Sequence, residues 1–170
     1  VKHLDQYSVS FTGLSLGRHA FTFEVDNKFF ACFEHSEITE GKLTIGVELE
    51  KSSTMLEFFF HIEGTVNVPC DVCTEDFDLA VEGDEKLIVK FGEEEYDNTD
   101  DIVILSPGEH EINLAQQIYE FINLAIPARR VHPEGECDPE MLARIEKYRV
   151  KNDEDDSDPR WDMLKNIKLN

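Results

Sequence analysis

Basic side chains are scarce in this 170-residue chain: sixteen Lys and Arg stand against 37 Asp and Glu, for a formal net charge of −21. A field of that sign repels phosphate backbones and anionic membrane surfaces and attracts basic ones. It argues against direct, broad-surface RNA binding and for a Lys/Arg-rich partner, with plain solubility as the competing reading. Long apolar runs are also missing, and none approaches the roughly 20 residues that a bilayer span needs. The opening Val1-Lys2-His3-Leu4-Asp5-Gln6 has no apolar core of a secretory signal. The expected address is cytoplasmic, where thiols stay reduced. There are only four cysteines, Cys32, Cys70, Cys73 and Cys137. They are therefore read as free thiols, metal ligands or redox groups before disulfides. The sequence has no Gly-rich phosphate loop, no G-x-S-x-G and no HExxH. Acids are too abundant for any pair to stand out as a general acid and base, and His3, His19, His35, His61 and His110 are scattered. The expectation is a protein that binds rather than catalyses.

What the chain does have is alternation. Tyr7, Val9 and Phe11 interleave with Ser8, Ser10 and Thr12, and Phe21, Phe23 and Val25 with Thr22, Glu24 and Asp26. Leu43, Ile45, Val47 and Leu49 face one way, and Leu56, Phe58, Phe60, Ile62, Val66 and Val68 stay in phase through Gly64. This period of two predicts half-buried strands, with Lys51-Ser52-Ser53 as a hairpin loop and Gly64 as a bulge or a close backbone approach. One or two helical turns are expected between Asn27 and His35. Phe77, Leu79 and Val81 predict a further strand, the run Leu87–Phe91 another, and Asp101–Leu105 a short one after an acidic loop from Glu93.

The second half turns helical. Asn113 caps a predicted helix carrying Leu114, Ile118, Phe121 and Ile122 on one face and ending at Pro127. Asp138-Pro139 starts another with Met141, Leu142, Ile145 and Tyr148. The fold class read from this is α+β: an N-terminal, mostly antiparallel sheet, curled or barrel-like, with helices in the C-terminal third. Residues 1–150 are expected to form a single β-rich domain, 151–158 an acidic linker, and 159–170 a short amphipathic helix striped by Trp161, Leu164 and Ile167. A helix that short is marginal alone and is expected to dock on the body or on a partner.

The residues with chemistry are Cys70-Asp71-Val72-Cys73, His132 and Cys137. Thiols two residues apart can reach one tetrahedral zinc or form one reversible disulfide. A redox motif opens a helix, whereas the residues after Cys73 alternate like a strand and carry acids that disfavour a thiolate. Zinc needs two more ligands, and His132 and Cys137 in the loop between the two helices complete a Cys₃His set. Neither half has the trailing Gly of a zinc knuckle, so unligated thiols remain an open reading. Cys32, among Phe29, Phe30 and Phe33, is expected as a small core residue. Arg129 and Arg130 form the one concentrated basic patch, either answering the helix end and nearby acids or contacting a partner.

In order along the chain stand the CxxC, an acidic segment with Asp101-Ile102-Val103, and Ile112-Asn113-Leu114 opening a helix with Glu120. Leu124-Ala125-Ile126-Pro127, His132, Cys137 and Asp158-Pro159-Arg160-Trp161 follow. This set resembles the YceD family from about Thr39 onward. The resemblance implies a role in large-subunit ribosomal RNA accumulation and ribosome biogenesis, without enzymatic activity, and a metal site in many members. Joined to the charge, it suggests a basic ribosomal protein or a ribosome-assembly factor as partner, met by Trp161, Leu164 and Ile167 with Arg129 and Arg130. The alternatives are a zinc-stabilised module with a non-ribosomal partner, or a CxxC thiol oxidoreductase.

Overall fold

Side chains that alternate every second position can bury one set only by lying on a common face, and that constraint builds the main sheet. The computed structural model describes residues 4–92, 102–106 and 108–149. Its strands are β1 (Ser8–Ser10), β2 (Gly17–Val25), β3 (Gly41–Lys51), β4 (Met55–Pro69), β5 (Asp76–Phe91), β6 (Ile102–Leu105) and β7 (Glu111–Asn113). Its helices are α1 (Asn27–Phe30), α2 (Ala115–Ala125) and α3 (Pro139–Tyr148). The order in the sheet is β2-β3-β4-β5-β6, antiparallel except for β6, which runs parallel to β5. The α+β class stands, with a sheet that is open rather than closed as a barrel.

The in-phase residues of β3 and β4 are all buried, from Leu43 and Ile45 to Val66 and Val68. Each such side chain contributes about 1.5–3 kcal/mol relative to exposure. α2 lies over this inner face through Ala115, Ile118, Phe121 and Ile122, with the Phe121 ring edge-on to Phe60 at 5.0 Å. A side chain at Gly83 would meet Ala125 Cβ at 2.9 Å, so the helix end rests where β5 has none. β1 and β7 form a separate two-stranded ribbon. Asn113 sits at its end and accepts from Ala115 N–H at 3.0 Å, opening α2 one residue later than its own position suggests.

Two expectations are corrected. Phe77–Val81 and Leu87–Phe91 belong to one 16-residue strand, not two, because β4 pairs with it without interruption from Met55 to Pro69. Cys32 is half-buried at the end of α1, with its thiol donating to Lys28 O at 3.2 Å, and is outside the core. The acidic loop from Glu93 and the linker and helix of 151–170 lie outside the described residues. Among the described residues, no helix is long and apolar enough to cross a membrane.

Gly64 marks a close approach and no bulge, since the β3–β4 register runs unbroken past it. At φ +153° a Cβ there would collide with Lys42 O and lie 2.6 Å from Leu43 Cα. Gly64→Ala is expected to lower unfolding stability by about 2–4 kcal/mol, read from denaturant midpoints. A loss under about 1 kcal/mol, the scale of an ordinary strand substitution, would contradict the contact.

Candidate metal centre

The long hairpin arm β4 ends at Pro69, and its turn into β5 is the CxxC. Three backbone bonds shape that turn. Cys70 N–H donates to Glu75 O at 2.9 Å, Thr74 N–H to Cys70 O at 2.9 Å, and Val72 N–H to the Cys70 sulfur at 3.4 Å. Thr74 takes φ 65°. The place of a knuckle's trailing Gly is thus occupied by a β-branched residue in the left-handed region, at a cost of about 1–2 kcal/mol. Its hydroxyl donates to Cys73 O at 2.6 Å and holds it there.

The segment after α2 folds back onto this turn. Asp71 N–H donates to Arg130 O at 2.8 Å, and Arg130 N–H donates to Asp71 Oδ2 at 2.7 Å. The Arg130 guanidinium lies 3.6 Å from Asp71 Oδ1 and 3.8 Å from Glu37. This clasp delivers His132 two residues on, where its ring lies against Phe77 with centroids 4.4 Å apart. Arg130 is thereby engaged within the chain; Arg129 is exposed and forms no ion pair among the described residues. Trp161, Leu164 and Ile167 lie outside the described residues.

Cys70, Cys73, His132 and Cys137 meet, with one ligand atom from each and all four within 4.8 Å of one another. Cys73 Sγ is 3.4 Å from His132 Nδ1, and Cys137 Sγ is 3.8 Å from both Cys70 Sγ and His132 Nδ1. Zinc held tetrahedrally by thiolates and an imidazole requires ligand atoms about 3.6–3.8 Å apart. The four residues present fit that ion in type and number, and two of their separations, at 3.8 Å, already match its spacing. Soft thiolates with one imidazole select zinc over hard cations such as Mg²⁺ or Ca²⁺.

The acidic flank does not prevent a thiolate at Cys70, contrary to expectation. Burial pushes that thiol up, but backbone hydrogen bonds from Cys73, His132 and Val72 and one from the His132 ring outweigh it, bringing the pKa to about 5. Cys137 goes the other way, pushed up to about 11 by burial and by its neighbours Cys70 and Cys73. Cys70 and Cys137 are thus driven in opposite directions, and a divalent ion would favour the thiolate at both. With all four positions taken by protein, such a site is structural, not an open catalytic one.

Asp71, Thr74 and Phe77 are the functional neighbours that sequence reasoning missed. The signal for Asp71 was its position between the two thiols, opposite the only basic pair. A family model described as "Large ribosomal RNA subunit accumulation protein YceD" matches residues 58–168, more than half of the chain. No curated protein and no solved structure matches it significantly.

Two outcomes follow from this geometry. Thr74→Gly is expected to raise stability by about 0.5–1 kcal/mol, the relieved strain less the added freedom of the unfolded chain; a lowered denaturant midpoint would mean that the hydroxyl bond outweighs the strain. The purified protein is expected to carry a single zinc ion, and chelation should lower its melting temperature and open Arg144 and Arg149 to trypsin while the sheet persists. Unchanged melting and digestion after the metal is stripped would remove the structural role.

Proposed function

The chain belongs to the YceD family of large ribosomal RNA subunit accumulation proteins, and from that premise we propose that it acts without catalysis, as a zinc-stabilised binding protein for a basic partner in large-subunit assembly. The observation that carries this reading is the closed Cys₃His cluster at the joint between sheet and helices. A site with no open position supplies shape, and shape serves recognition. The residues that would hold the ion are Cys70, Cys73, His132 and Cys137. Zinc would lock the turn and the returning segment in one arrangement, and Asp71 with Arg130 would keep His132 in place for it.

The charge of −21 supports the choice of partner. Ribosomal proteins and assembly factors that grip RNA carry basic surfaces, and an acidic protein is suited to hold them until RNA replaces it. A thiol oxidoreductase draws some support from the lowered pKa of Cys70. Against it, Cys70 and Cys73 are each only 2% exposed, which leaves no path for a disulfide substrate to reach either sulfur.

Deleting the protein from its host is expected to lower large-subunit ribosomal RNA selectively against small-subunit RNA. Wild type should restore the ratio and Cys137→Ser should not. An unchanged ratio on deletion, at a growth rate where the protein is abundant, would overturn the assembly role. Full rescue by Cys137→Ser would detach the metal site from it.

A further inference from the structure

On the reading that the protein binds a basic partner, we propose that the docking surface is the outer face of β2–β5. Its occupant would be a Lys/Arg-rich segment of that partner protein carrying an apolar anchor. α2 covers the inner face, and the outer face is uncovered among the described residues. At its centre is a depression of about 910 Å³. Its floor is made of small residues, with Thr22 and Gly46 side by side and Ala20 one row away, and Phe59, 39% exposed, rises beside it.

Gly46 has no role in folding that would explain it. A Cβ there would meet His61 at 3.8 Å, an ordinary contact, and the residue does not adopt a positive φ. A glycine inside a central strand costs about 0.5–1 kcal/mol relative to alanine. That cost goes uncompensated unless the empty floor is used, and an apolar side chain from outside would fill it.

The row next to the depression carries a second cost that a cationic occupant would relieve. Glu63 and Glu82 are direct cross-strand partners, and Glu24 lies in the same row across Thr44. Like charges directly opposite destabilise a sheet. None of the three forms an ion pair among the described residues: Lys86 bonds Glu57 at 2.7 Å and lies over the Phe59 ring, Arg18 bonds Glu48 at 3.3 Å, and Lys42, one row away on the same face, is exposed and pairs with none of them. One titratable base already faces this field. His61 bonds Asp84 at 2.7 Å, and that bond raises its pKa, with Asp84, Glu82 and Glu63 adding to the rise against partial desolvation. Positive charge is thus favoured at the edge of the apolar floor, which is the pattern an Arg or Lys beside an apolar anchor would match.

The test uses the full chain and a short synthetic peptide in which Arg and Leu alternate, with spermine as a cation lacking the anchor. The peptide is expected to bind wild type in a salt-sensitive manner and about tenfold more weakly to Gly46→Leu and to Glu63→Gln/Glu82→Gln, a tenfold change being about 1.4 kcal/mol. The double Gln variant should also melt higher than wild type, because the opposed carboxylates are gone; that rise shows that its lost binding is not lost folding. Peptide binding by both variants as tight as by wild type would overturn the surface while leaving a basic partner and the RNA phenotype standing. Spermine binding as tightly as the peptide, and unaffected by Gly46→Leu, would reduce the face to general counterion attraction and overturn it too. No peptide binding to wild type at low salt would also overturn it, whatever the ribosomal RNA ratio on deletion.

Discussion

The joint between the β4–β5 turn and the segment after α2 bears a load that apolar packing does not share. No residue from Pro127 to Arg149 is fully buried, and Leu142, Ile145 and Tyr148 of α3 are exposed, Tyr148 to 78%. A segment without buried apolar area has little to set against the conformational entropy of ordering it. Here it is held by the Asp71–Arg130 clasp and by the convergence of three thiols and an imidazole. A metal ion bound in that cluster would convert binding free energy into folding free energy, as in small metal-dependent domains.

The rest of the molecule follows from where that joint sits. β4 and β5 are 15 and 16 residues long, so the CxxC stands at the tip of a long hairpin. α2 runs over its inner face. The segment leaving α2 reaches the tip, and α3 starts directly from the last ligand, its amides accepted by Asp138 at 3.0 and 3.2 Å. The helical arm is fixed at one end of the sheet, and the outer face is uncovered among the described residues. The protein thus joins an open sheet to a helix that starts from the Cys₃His cluster.

Much of this was legible in the residues. Strand phase from Leu43 to Val68 and the Asp138-Pro139 helix start were visible, because each depends on neighbours within a few positions; Gly64 was left between a bulge and a close approach, because its contact is with Lys42 and Leu43 on the neighbouring strand. The four candidate ligands were nameable for a different reason: the chain has only four cysteines, and two of them stand as a CxxC. Long-range geometry was hidden. The continuity of β5 across Gly83 depends on pairing with β4 and on the approach of Ala125. The parallel placement of β6 and the β1–β7 ribbon are set by tertiary packing that alternation cannot encode. The left-handed Thr74 defies its own propensity because the bonds around the turn over-determine it.

X-ray absorption at the zinc edge on the purified full chain tests the central claim most directly. The account predicts a single zinc per chain with three sulfur neighbours at about 2.3 Å and one nitrogen at about 2.0–2.1 Å. Zinc absent from protein prepared without chelators, or a shell dominated by oxygen, would contradict it.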